Sequence, residues 1–127
     1  MNRAFTSLLV DSVGQSARFY ESLLGMTRHF DSDWFVILTH PGISQLEFGL
    51  LDRNNEIVPQ EGRMAPQGII QTFVVDDTDA VYETAKSMDA VIVEPPRDMP
   101  YGQRRMLLRD PDGTLIDISA PTAPPPA

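Results

Sequence analysis

The chain has 127 residues, enough for one compact domain with a sizeable core. Its 18 acidic residues against 10 Lys and Arg leave a net charge of -8, which argues against nucleic acid as a partner and suits a cationic ligand. Cysteine is absent, so disulfides, thiolate metal sites and cysteine nucleophiles are excluded. No apolar run is long enough to cross a bilayer, and "MNRAFTSLLVDS" lacks the pattern of a signal peptide, so the expectation is a cytoplasmic protein without a membrane partner.

Phe5 to Val10 reads as a strand. From Val13 to Leu24 apolar residues recur at helical spacing through Val13, Ala17, Tyr20, Leu23 and Leu24, and Gly25 stands where a helix ends. "TRHFDS", "DWFVILTH" and "SQLEFGLL" then read as three short strands separated by polar or Gly/Pro turns. Asp52 to Gly68 is a long connection with no regular pattern, the kind of segment that is a linker or a functional loop. Ile69 to Val75 is rich in β-branched residues and predicts a strand. Ala80 to Met88 carries a helical stripe, with Asp77 or Asp79 as its N-cap. "AVIVEPP", "QRRMLLRD" and "TLIDISA" complete the series, with Asp110-Pro111-Asp112-Gly113 as a turn of no catalytic role. "PTAPPPA" cannot join a sheet, because proline has no amide donor, and it predicts a disordered tail over 121–127.

The chain repeats itself. Aligned on Val10-Asp11 and Val75-Asp76, the two strand-helix segments match without a gap, and three strands follow each helix. The expectation is α+β: two βαβββ modules over 3–52 and 68–120, joined by a linker over 53–67. Leu8, Val10, Phe73 and Val75 face the helices, while Phe5, Ser7, Leu9, Ile70, Thr72 and Val74 face the other way. Two such halves would form a curved mixed sheet around a cleft, with the helices outside.

"SARFYESLLGM", "VVDDTDAVYETA" and above all "YGQRRMLLRDPDGTLIDI" carry a resemblance to the vicinal oxygen chelate superfamily, which includes glyoxalase I, extradiol dioxygenases and bleomycin-resistance proteins. The resemblance covers about residues 3 to 120. In its metal-using members four side chains, usually two histidines and two carboxylates, point into the hollow. Those positions correspond here to Phe5, Glu47, Ile70 and Asp117, so both histidine positions are apolar. Neither His29 nor His40 falls on a ligand position. A divalent ion needs several imidazole or carboxylate donors, and the expectation is no metal and no cofactor.

What remains is a pocket of aromatic and charged groups. Trp34, Phe35, Phe48 and Tyr101 are candidate walls for a flat ligand, with Phe5 and Ile70 as wall or filler. Glu47 and Asp117 are candidate anionic contacts, or carboxylates paired with arginine. Strand alternation puts only one of Arg104 and Arg105 inward, and Arg104 is the candidate for a ligand anion. No nucleophile-base pair stands out. The resemblance then implies a metal-free small-molecule binder that acts by sequestration on a cationic or aromatic antibiotic, as a homodimer, with no catalytic residue. The alternative is an enzyme of the same superfamily, a lyase, isomerase or dioxygenase, with an altered metal site.

Overall fold

The structure, a computed structural model, describes residues 1–122, so the expected tail lies outside the described residues from 123 onward. The fold is α+β, with two four-stranded mixed sheets, each backed by one helix. The chain divides into two compact units, one over Met1–Gln67 and the other from Gly68 on.

The first unit runs β1 (Thr6–Val10), α1 (Val13–Leu24), β2 (Thr27–Asp31), β3 (Phe35–His40) and β4 (Ile43–Asp52). Its sheet order is β1-β4-β3-β2, with β1 parallel to β4 and the other pairs antiparallel. Ser12 caps α1 by accepting from the Gln15 amide at 3.2 Å. Gly25 ends it at φ 69°, a left-handed conformation that glycine adopts at no steric cost, and its N–H donates to the Glu21 carbonyl. The helix packs on β3 and β4. Alternation sends Leu8, Val10, Leu38 and Leu50 beneath it, all fully buried. Each such side chain contributes about 1.5 to 3 kcal/mol through the water it sheds.

The second unit repeats the plan with β5 (Ile70–Val74), α2 (Thr78–Ser87), β6 (Val91–Asp98), β7 (Gln103–Arg109) and β8 (Leu115–Pro121), in the order β5-β8-β7-β6. Of the two candidate caps, Asp77 is the one used: its carboxylate accepts from the Ala80 amide at 3.2 Å. Met106, Leu108, Ile116 and Ile118 are buried under α2. The Asp110 to Gly113 turn is built by Asp110, whose side chain accepts from the Asp112 and Thr114 amides at 2.9 Å each.

Two expectations need correction. The connection after β4 does carry structure: a short 3-10 helix spans Gln60–Gly62, Val58 is buried, and Arg63 donates to the Val58 and Asn55 carbonyls. Side-chain turns at Asp52 and Asn55 supply hydrogen bonds that periodicity does not register. Pro121 is the last residue of β8, opposite Gln103. A strand end tolerates proline because the missing amide hydrogen bond falls where pairing stops.

Candidate functional site

In the first unit, one face of the sheet is covered by α1 and the other carries the candidate residues. Phe5, just before β1, lies 6.4 Å centroid to centroid from Phe35 at the start of β3. Phe30 of β2 is 5.8 Å from Phe35, and Trp34 of the β2–β3 turn is 5.9 Å from it. All three pairs are tilted, within the range where ring quadrupoles attract. Phe35 is therefore the hub of a four-ring cluster, and Phe5 and Phe30 remain 40% and 47% exposed. Exposed aromatic surface of that size is uncommon unless it meets something.

Glu47 of β4 adjoins this cluster through Arg3. The Arg3 Nε donates to both Glu47 carboxylate oxygens, at 2.9 and 2.7 Å, and Nη2 adds a third bond to Oε1. The same guanidinium sits over the Phe5 ring, 4.9 Å from its centroid. Hydrogen bonding from Arg3 holds the Glu47 carboxyl below the usual carboxylate range; burial opposes this, and the charges of Arg3 and His29 reinforce it. Arg3, Glu47 and His29 line a recess of about 460 Å³ with Thr39, Ser44 and Gln45.

A lowered folded-state pKa makes the Glu47–Arg3 contribution present above the unfolded carboxylate pKa. It is lost as pH falls through the lower folded value. The expected result in an NMR titration is a Glu47 midpoint below that of an ordinary Glu, returning upward in Arg3→Gln. A midpoint indifferent to Arg3 would show that the ion pair does not form in solution.

In the second unit Asp117 of β8 accepts from the Ser119 hydroxyl at 2.5 Å and from Thr72 at 3.4 Å. Ile70 stands at the start of the neighbouring β5 and is 58% exposed. Tyr101, in the turn between β6 and β7, is 60% exposed. Arg104 is not on Asp117's face. It pairs opposite Ala120, donates to Asp79 of α2 at 3.0 Å and to Asp98 at 3.1 Å, and both partners raise its pKa. Arg105, paired opposite Ser119, shares the face of Asp117 and bonds Glu94 at 3.3 Å.

Sequence reasoning missed Arg3 and Phe30, set His29 aside as a metal ligand without placing it at the recess, and chose Arg104 over Arg105. Arg3 lies two residues before Phe5, so continued strand alternation is a signal that could have found it. His29 falls at a register shift between Arg28 and Phe30, which alternation alone does not locate. His40 is structural: its Nδ1 accepts from the Gly42 amide at 2.9 Å, leaving Nε2 to donate to the Leu24 carbonyl at 3.1 Å.

A family model described as the Glyoxalase/Bleomycin resistance protein/Dioxygenase superfamily matches residues 3–118. The chain belongs to this superfamily. Solved structures agree on the fold. A member of this superfamily from Sphaerobacter thermophilus is 24% identical with a TM-score of 0.77, over 94% of this chain and 97% of that one. A superfamily enzyme from Burkholderia phytofirmans PsJN is 16% identical, also at 0.77, over 91% and 95%. A protein from the mobile metagenome of V. pseudocholerae is 25% identical at 0.72, over 94% of each chain. No curated protein matches the chain.

The superfamily's metal positions can be tested against the donors this member presents. Phe5 and Ile70 have no lone pairs to offer. Both Glu47 oxygens are engaged by Arg3, and those of Asp117 by Ser119 and Thr72. Among the described residues no group of three or more His, Cys, Asp or Glu side chains is placed to hold a metal ion. These residues do not fit a divalent metal.

Proposed function

We propose that this superfamily member is a metal-free small-molecule binding protein that sequesters a flat aromatic ligand, in the manner of bleomycin-resistance proteins, as a cytoplasmic homodimer. The observation that carries the reading is the four-ring cluster of Phe5, Phe30, Trp34 and Phe35, left half-exposed on the sheet face opposite α1. Aromatic side chains give large contact area at low entropic cost and recur where flat ligands dock. The donor set at the metal positions supports binding over metal-assisted chemistry. Exposed Ile70 and Val74 on β5 support a further partner for that strand, which in this reading is the second subunit.

Trp34 is the only tryptophan, so its fluorescence reports on the cluster directly. Titrating the protein with bleomycin and with planar aromatic antibiotics is expected to change that fluorescence and raise the melting temperature. Phe35→Ala, read by calorimetry, is expected to weaken binding by about 1 to 2 kcal/mol. Tyr101→Ala, tested alongside, asks the same of the second unit. A chelator is expected to leave the melting temperature unchanged. One tightly bound transition metal per purified chain, or an aromatic panel without effect on either signal, would overturn the proposal.

A further inference from the structure

We infer that the recess beside the aromatic cluster selects ligands whose polar end is an anion, a carboxylate being the simplest, although the chain as a whole is strongly acidic. This rests on the small-molecule reading and names the chemical class its site would take. The recess, about 460 Å³, is of the size that holds a small ligand or part of one. Its lining includes Arg3, Glu47 and the His29 imidazole, with Thr39, Ser44 and Gln45 adding neutral polar groups. Glu47 is its one carboxylate, and that charge is already matched by the Arg3 fork. A cationic ligand would therefore have to compete with Arg3 for Glu47. An anion would share the Arg3 guanidinium with Glu47, but at the edge that Glu47 leaves unused. Arg3 uses Nε and Nη2 for Glu47 while its side chain remains 55% exposed, so Nη1 is left to point a donor at a ligand. His29 supplies a second donor from β2. The Arg3 guanidinium also lies over Phe5, so the polar end and the aromatic platform are contiguous. An aryl acid, with its ring on the cluster and its carboxylate at Arg3 and His29, satisfies both.

Three probes of one shape test this on the full chain at neutral pH: phenylacetate, neutral phenylacetamide and cationic phenethylamine. Calorimetry or chemical-shift titration should find phenylacetate bound about tenfold tighter than phenethylamine, the scale of one charge-assisted hydrogen bond. Arg3→Gln removes the positive charge and releases Glu47, so the order should invert and phenethylamine should lead. Glu47→Gln leaves Arg3 free and should strengthen phenylacetate further. Arg3 is the more exposed of the two side chains, at 55% against 19% for Glu47, and in each variant phenylacetamide, which carries no charge, should change less than either charged probe, a built-in check that the platform is intact. Binding of all probes with phenylacetate and phenethylamine equal, or an order unchanged in Arg3→Gln, would overturn the anion assignment and leave the small-molecule reading standing. If none of the three binds at millimolar concentration while a larger aromatic antibiotic does, the recess is not part of the site and the inference fails alone. If nothing aromatic binds, both fail.

Discussion

Replacing Tyr20 by alanine is expected to destabilise the first unit by about 3 to 5 kcal/mol, the range for removing a buried aromatic side chain. Tyr20 is fully buried in α1 at the centre of the contact between helix and sheet. Its ring is 4.9 Å from Phe48 of β4 and 5.1 Å from Phe19, both in edge-on geometry. Truncation loses the apolar area, the ring contacts and the close packing around them, and the backbone of α1 and β4 cannot collapse far to fill the gap. Tyr20→Phe keeps most of this and should cost far less. Denaturant unfolding of the two variants decides the matter: a loss below about 1 kcal/mol for Tyr20→Ala would mean that the helix does not pack on β4 as described.

Gly49→Val is expected to cost about 3 kcal/mol, at the upper end for overpacking, and to disturb the aromatic cluster as well. Gly49 pairs with Ser7 across the parallel β1–β4 ladder. A Cβ there would meet the Ser7 hydroxyl at 2.7 Å, and the Ser7 Cα and Thr6 carbonyl oxygen at 3.2 Å. The hydroxyl can turn away, but the two backbone atoms cannot move without moving β1. Arg3 and Phe5 lead into that strand, so the ion pair with Glu47 and the Phe5–Phe35 contact shift with it. The expected signature is a lower melting temperature together with altered Trp34 fluorescence in the folded state. Ser7→Ala in the same chain should restore only part of the loss, because the backbone contacts remain. Full rescue would place the conflict in the hydroxyl alone.

Much of the fold was legible in the sequence because its signals are local. The stripe from Val13 to Leu24 with Gly25 behind it, the Asp-Pro-Asp-Gly turn, and Ile116 and Ile118 at alternate positions each fix an element and its buried face. The site was legible in part. Phe5, Trp34 and Phe35 do come together. Arg104 and Arg105 could not be sorted from sequence because Met106, Leu107 and Leu108 are apolar in succession, which erases the phase of β7. Only pairing with β8 shows that Arg104 follows Met106 and Leu108 toward α2. The Arg3–Glu47 pair was invisible for a different reason. It joins residues 44 apart in the chain, and no local pattern signals a partner at that distance.

The tethered connection after β4 also governs where the chain can be lengthened. Judged by the sequence pattern, any position from 53 to 67 would accept inserted residues equally. With Val58 in the core and Arg63 hooked to the Val58 and Asn55 carbonyls, an insertion between Asn55 and Arg63 must strain a buried contact or a side-chain clasp. From Met64 to Gly68 the side chains are exposed or half-exposed and the backbone belongs to no strand or helix. That short stretch is where a tag, a loop graft or an evolutionary insertion can enter without cost to either unit.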